Sequence, residues 1–326
     1  MAFIEVENVT KTYKLAKREK GVMRNLKALF HREYFYKHAV NNINFSIESG
    51  ESVGYIGMNG AGKSTTIKML SGILIPDSGK IEVGGMIPYE KRRENAKQIG
   101  IVFGQRSRLN WDLPMTDTFE LYRRMYEIGQ EEYKKNIRLY TEILGLEEFM
   151  DRPVRLLSLG EKMRANLAVA LLHNPSVVYL DEPTIGLDIV AKSRIRDLIS
   201  EINNLKGTTI MLTTHDMMDI EYICNRIIFI HKGEIYFDGS IDAFKETYGL
   251  QYKIIVYSSE KIEVNGTGMV LQSVVQERYE FLGDKRVISI EKAFAFLTSQ
   301  SKAISSIQIE EANIEDIVMS LMRHVE

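Results

Sequence analysis

Residues 54 to 70 read GYIGMNGAGKSTTIKML. Gly57-Met58-Asn59-Gly60-Ala61-Gly62-Lys63-Ser64 fits the pattern G-x-x-x-x-G-K-[ST], and Thr65 follows. Bare glycine backbone can curl so that successive N–H groups point inward around phosphate oxygens. A helix opening at Lys63 adds the partial positive charge of its N-terminus. Lys63 then neutralises the outer phosphates, and the Ser64 hydroxyl suits Mg²⁺. A second constellation lies far along the chain, where the apolar run Val177–Leu180 ends in Asp181 and Glu182. Asp181 at a strand end can join the metal's ligand shell. Glu182, one residue on, can polarise a water for in-line attack on a γ-phosphate.

Such chemistry needs strands and helices that deliver these groups to one place. Val53–Ile56 is apolar and precedes the glycine loop, and Lys63–Ser71 has the composition of a helix. Gln98–Phe103, Ser176–Leu180, Thr208–Thr213 and Arg226–Ile230 are short apolar runs, as expected of strands buried on both faces. Helical stretches fall between them, largely over 116–149 and at Gly160–His173. The alternation predicts a parallel sheet covered on both sides. Near the N-terminus, Phe3, Ile4, Val6 and Val9 alternate with polar residues, and 39–57 reads as two strands joined at Glu48–Gly50, an antiparallel β portion. The fold class is therefore α/β, a phosphate-loop ATPase with a parallel core sheet, an antiparallel β subdomain and a helical subdomain over about 106–172. After about 247 the pattern changes. Tyr252–Tyr257, Val270–Gln276 and Val287–Ile290 read as strands, and Lys292–Thr298 and Ile314–Met322 as helices. The expected division is an ATPase domain, 1–247, and a small α+β accessory domain, 248–326.

The chain has 326 residues, 26% of them charged, and a formal net charge of −2, which argues against a nucleic-acid-binding polycation. Its one cysteine, Cys224, cannot form an internal disulfide, and a reducing, cytosolic setting fits. No apolar run approaches the length that spans a bilayer, and the first residues lack the order of a signal peptide.

Three further stretches complete an ordered set. Ser158-Leu159-Gly160-Glu161-Lys162 precedes Asp181, Leu180–Asp188 reads LDEPTIGLD, and Thr213-Thr214-His215-Asp216 follows. Over roughly residues 1–245 this set resembles the nucleotide-binding subunit of an ABC transporter. The resemblance implies two ATPase subunits, as a homodimer or a heterodimer, that meet head to tail and sandwich two ATP molecules with Mg²⁺. It implies that Gly57–Thr65 cradles phosphates and that Tyr13 stacks on adenine. Gln105, in VFGQRSRLNWDLP, would contact Mg²⁺ or the attacking water. Ser158 and Gly160 would bind the γ-phosphate across the dimer, and Asp188 would line the seam. Glu182 would be the general base and His215 would hold the γ-phosphate; Mg²⁺ would be held by Ser64, Gln105 and Asp181. Within the family, the stretches around Gln105, Ser158 and Asp181 look like bacterial exporter ATPases of the drug, viologen or antibiotic efflux type. Those pair with separately encoded integral-membrane permeases of the ABC-2 type. That implies a peripheral protein on the cytoplasmic face of the cell membrane, with no nucleic-acid partner. A soluble ABC ATPase acting on the ribosome or DNA is the alternative, but those proteins commonly carry two cassettes or a long coiled-coil insertion. A non-hydrolysing regulatory subunit is a third reading.

Two features depart from the family's pattern. Its usual Leu-Ser-Gly-Gly-Gln reads Leu157-Ser158-Leu159-Gly160-Glu161 here, which is expected to bring a bulkier side chain and a negative charge near the phosphate. A basic insertion over about 14–38 separates Tyr13 from the next strand, so Tyr34, Phe35 or Tyr36 could supply the adenine stack instead. From Lys11 to Lys37 there are nine Lys or Arg and two Glu, and Leu26, Leu29 and Phe30 fall at helical spacing. Contact with the permease or with anionic lipid fits this charge, since each Lys or Arg near such a surface contributes about 1 kcal/mol. Replacing Lys17, Arg18, Lys20 and Arg24 together with Ala is expected to weaken recruitment to membranes while leaving ATP affinity unchanged. Flotation with vesicles beside a nucleotide titration checks this, and unchanged recruitment contradicts it.

Overall fold

Strand β3 (Ser52–Ile56), ahead of the glycine loop, is buried at every residue. A strand like that needs partners on both edges and cover on both faces. In the computed structural model, which describes residues 2–16, 34–104, 109–300 and 303–325, β3 runs parallel between β7 (Thr209–Thr213) and β8 (Arg226–His231). Beyond β7 come β6 (Val177–Asp181) and β5 (Ile99–Phe103), also parallel, and β9 (Glu234–Ser240) follows β8 on the other edge. The sheet order is β5-β6-β7-β3-β8-β9. The C-terminal ends of β3, β7 and β6 therefore open side by side on one edge, where ligands of such sheets bind.

A second sheet, antiparallel, is built from β1 (Ala2–Ala16), β2 (Tyr34–Glu48) and β4 (Ser78–Val83) in the order β2-β1-β4. Its inward residues, among them Ile4, Val6, Ile43 and Phe45, join Tyr55 of β3 and Ile67, Met69 and Leu70 of the helix Lys63–Leu70 in one apolar cluster. Toward its far end the β1–β2 pair continues through Tyr13↔Lys37, Leu15↔Phe35 and Ala16↔Tyr34. Asp77 pins the start of that arm. Its carboxylate accepts from Lys11 Nζ at 2.6 Å and from the Thr12 N–H at 2.7 Å, which holds its carboxyl below the usual range. Most of the basic insertion, and Gln105 with it, lies outside the described residues.

The helical part carries Met115–Met125, Gln130–Leu144 and Leu159–Leu171. The stretch expected to be largely helical over 116–149 is interrupted near Glu127, whose φ is +57°. Arg164 Nη1 donates to the carbonyls of Leu144 and Gly145 at 3.0 and 2.8 Å, satisfying a helix end that would otherwise lack partners.

The chain divides into two compact units, Met1–Asp238 and Gly239–Glu326. The second holds an antiparallel sheet in the order β11-β12-β10-β13, from β10 (Gln251–Ser258), β11 (Val270–Val275), β12 (Arg278–Asp284) and β13 (Ile304–Glu311). Helix Ile290–Gln300 contributes Ala293 and Leu297 to its core with Tyr252, Ile254, Val256 and Phe281. One expectation is overturned here. Val287–Ile290 is not a strand but a turn leading into that helix. The Asp284 carbonyl accepts the N–H groups of Val287 and Ile288 at 2.8 and 2.9 Å, and the Ile288 carbonyl is taken by the Tyr252 hydroxyl at 2.9 Å. With these backbone groups committed to a turn and a side chain, the segment has no ladder to join. The strand lies just before it, at β12.

Candidate functional site

The glycine loop follows β3, and its shape is forced by near neighbours. A Cβ at Gly57 would come 2.1 Å from the Ile230 carbonyl oxygen, and one at Gly62 would come 2.4 Å from that of Ala39. Gly60 and Gly62 have φ of +83° and +118°, open to glycine and strained for other residues. Lys63 Nζ folds into the loop and donates to the carbonyls of Gly57 and, at 3.2 Å, Met58. Burial lowers its pKa, opposed by Glu182 and Asp181.

A cavity of about 930 Å³ opens over this loop. Of the residues expected to bind or react, Tyr13, Asn59, Gly60, Gly62, Lys63, Ser64, Thr65, Asp181, Glu182 and His215 line it. Gly57 and Ala61 stand behind the lining as buried loop wall. Of the four aromatics that could stack on adenine, Tyr13 lines the cavity, whereas Tyr34, Phe35 and Tyr36 do not; Phe103, at the end of β5, lines it as well. The alternation of the hairpin places Tyr34 and Tyr36 on the face opposite Tyr13.

At the end of β6, Asp181 receives the Thr213 hydroxyl on Oδ1 at 2.5 Å and the Ser64 hydroxyl on Oδ2 at 3.4 Å. Two oxygen donors thus stand side by side beneath the loop, a donor set that fits a hard divalent cation. Glu182 leaves the strand line through a left-handed backbone, φ +57°. This turn brings its carboxylate to His215, with Oε1 3.1 Å from Nε2 and Oε2 3.3 Å from the His215 N–H. Burial raises its pKa, and His215 and Lys63 act against that rise.

Ser158, Gly160 and Asp188 do not line this cavity. They form a separate cluster. Ser158 caps the helix Leu159–Leu171, and Asp188 caps the helix Ile189–Lys206 by accepting from the Ala191 N–H at 2.8 Å. The two helix starts touch: a Cβ on Gly160 would meet Ala191 Cβ at 3.5 Å, and one on Gly186 would meet Leu159 Cδ2 at 3.1 Å.

Two contributors escape a motif-based search. Lys37 lies opposite Tyr13 on β2 and lines the cavity, with Nζ 3.9 Å from where a Cβ of Gly60 would stand. Asp219 is wholly buried and ties the rim together. It accepts from the hydroxyls of Thr184 and Thr214 at 2.5 and 3.0 Å and from Arg196 Nε at 2.6 Å. Those partners follow Glu182, precede His215 and lie on the helix Ile189–Lys206. The only signal in the sequence is a carboxylate four residues after His215, which the fold places in the first turn of the helix Met217–Ile223.

The family described as ABC transporter matches residues 40–185. The ABC transporter ATP-binding protein NatA of Bacillus subtilis is 32% identical over 209 residues, 64% of this chain and 85% of that protein. The chain belongs to the ATP-binding subunits of ABC transporters. The linearmycin resistance ATP-binding protein LnrL of Bacillus subtilis is 30% identical over 298 residues, covering 89% of this chain and 95% of LnrL. Among solved structures, the dimeric post-hydrolysis state of the ATP-binding cassette MJ0796 bound to ADP and Pi superposes with a TM-score of 0.60 at 27% identity. It covers 73% of this chain and 98% of that one. This ABC subunit therefore binds ATP and is an ATPase that serves a transporter.

Asp219 is the shorter ion-pair partner of the buried Arg196, at 2.6 Å against 3.2 Å for Asp216, and three rim segments meet on it, so Asp219→Ala removes the main compensation of that cation and strips the Thr184 and Thr214 hydroxyls of their acceptor. The expected loss is about 3–5 kcal/mol of stability, read from urea unfolding. A loss below about 1 kcal/mol would contradict the network's role.

Proposed function

We propose that this ATP-binding subunit is the motor of an exporter. It lies on the cytoplasmic face of the membrane as a peripheral protein and drives separately encoded permease subunits. Among the described residues no helix is long and apolar enough to cross a membrane, so the transported molecule's route is assigned to those partners. Export is supported by LnrL, a resistance protein by name, whose likeness extends over most of both chains.

The observation that carries the mechanism is the division of the expected residues into two clusters. Loop, Lys63, Asp181, Glu182 and His215 surround one cavity, whereas Ser158, Gly160 and Asp188 stand apart from it. A head-to-tail pair of subunits would bring the second cluster of one over the cavity of the other. A dimeric MJ0796 cassette supports such pairing. In that arrangement Tyr13 stacks on adenine, and Gly57–Thr65 wraps the phosphates with inward N–H groups. Ser64 and Asp181 would hold Mg²⁺, which when bound neutralises charge on the β- and γ-phosphates; Gln105 is the third proposed ligand. Glu182 takes the proton of the attacking water, and His215 orients Glu182 and reaches the γ-phosphate. The partner's copies of Ser158 and Gly160 close over that phosphate.

Two outcomes follow. The base form of Glu182 is lost as pH falls through its raised pKa, so turnover should decline on the acid side at a pH above the ordinary glutamate value of 4.5. A pH–rate profile with protein stability monitored in parallel reads this; a flat profile down to that value would contradict a raised Glu182 pKa in the working site. Glu182→Gln should retain ATP binding, block turnover and trap an ATP-dependent dimer visible by light scattering. ATP binding with no change in mass would refute assembly of the site from two copies of this chain.

A further inference from the structure

The negative charge that Glu161 was expected to bring to the phosphate contact is tied down at the helix start and paired with a cation. One carboxylate oxygen accepts the Ser158 N–H at 2.7 Å while the Ser158 hydroxyl accepts the Glu161 N–H at 3.2 Å, a reciprocal cap on the helix Leu159–Leu171. The other oxygen accepts from Arg152 Nη2 at 2.6 Å. The Glu161 side chain is 16% exposed and Arg152 44%. Burial pushes the Glu161 pKa up, but the hydrogen bonds from Ser158 and Arg152 outweigh it and the net shift is downward. Both oxygens thus have partners, and the guanidinium offsets the charge.

We propose that Arg152 is a charge-compensating positioning residue of the composite ATP site. By neutralising Glu161, it lets the helix start carrying Ser158 and Gly160 approach the γ-phosphate held by the partner subunit. The inference rests on the head-to-tail reading above. The physical reason is a matter of sign. A helix N-terminus attracts an anion through its free N–H groups and partial positive charge. A carboxylate in the first turn cancels that attraction unless a cation balances it. A neutral glutamine at 161 would make the same kind of cap without the charge, since either Glu or Gln can close a capping box at this position. Arg152 is therefore needed because residue 161 is Glu, and should be dispensable when it is not. A purely structural role, such as anchoring the segment near Phe149, over whose ring the guanidinium sits at 5.9 Å, would not depend on residue 161.

The test uses the full chain in the Glu182→Gln background, with ATP-dependent dimerisation followed by light scattering. Arg152→Ala is expected to raise the ATP concentration for half-dimerisation on the order of 10-fold, the size of one partly solvated uncompensated charge. Adding Glu161→Gln should restore it, and Arg152→Lys should retain most of it. The Arg152→Ala defect should also shrink as salt rises. Binding of ATP to the monomer should not change in any variant, and thermal melts report folding. A defect that persists in the Arg152→Ala, Glu161→Gln double variant, or no defect in Arg152→Ala, overturns the proposal. If the Glu182→Gln background itself binds ATP without dimerising, the head-to-tail reading fails first and the role of Arg152 falls with it.

Discussion

The Asp219 carboxylate lies wholly inside the protein, where a charged group is tolerated only when hydrogen bonds and an opposite charge surround it. Its partners come from three separate segments: Thr184 after β6, Thr214 after β7, and Arg196 on the helix Ile189–Lys206. Satisfying one carboxylate therefore fixes the relative positions of the two turns that present Glu182 and His215. It also fixes the helix whose first turn carries Asp188. Arg196 and Lys192 extend the network to Asp216, the residue after His215. The reacting edge of the sheet is held from behind, in the dry interior, while its front stays open to nucleotide.

Around that anchor the chain solves two electrostatic problems by different means. In the cavity, two cations, Lys63 and Lys37, share the lining with two carboxylates, Asp181 and Glu182. Desolvation pushes the Lys63 and Glu182 pKa values toward each other, which favours a proton acceptor over a tight fixed ion pair. At the Ser158 helix start the opposite is done. The carboxylate of Glu161 is fully committed to a cap and a guanidinium, and its pKa is lowered. One glutamate lines the nucleotide cavity beside His215, and the other is committed to a helix cap.

How much of this could be read before the fold was known follows from burial. The strands of the parallel sheet are apolar throughout because both faces are covered, so Val177–Leu180 or Arg226–Ile230 stand out as runs. β4, β9 and β12 are partly exposed, and their mixed composition gave no such signal. The glycine loop was legible because its residues are contiguous and each type has one physical reason to be there. Lys37 was not, because its place opposite Tyr13 depends on hairpin register. Nor was Arg152, which lies nine residues before Glu161 and meets it only after a turn and a helix start intervene. The sign of Glu161 was evident in sequence; its destination required coordinates.

Glu182 stands in a left-handed backbone, φ +57°, that a side chain of its size adopts only under compulsion. Such conformations cost of order 1–3 kcal/mol and persist where the surroundings over-determine them. Here the Glu182 N–H donates to the Thr213 carbonyl at 2.8 Å, and the next strand end is locked by the Gly104 N–H to the Asp181 carbonyl at 2.7 Å. A glycine at 182 would relax the turn but remove the carboxylate. Selection for thermal robustness and selection for turnover therefore pull this position in opposite directions, and its occupant records which of the two prevailed.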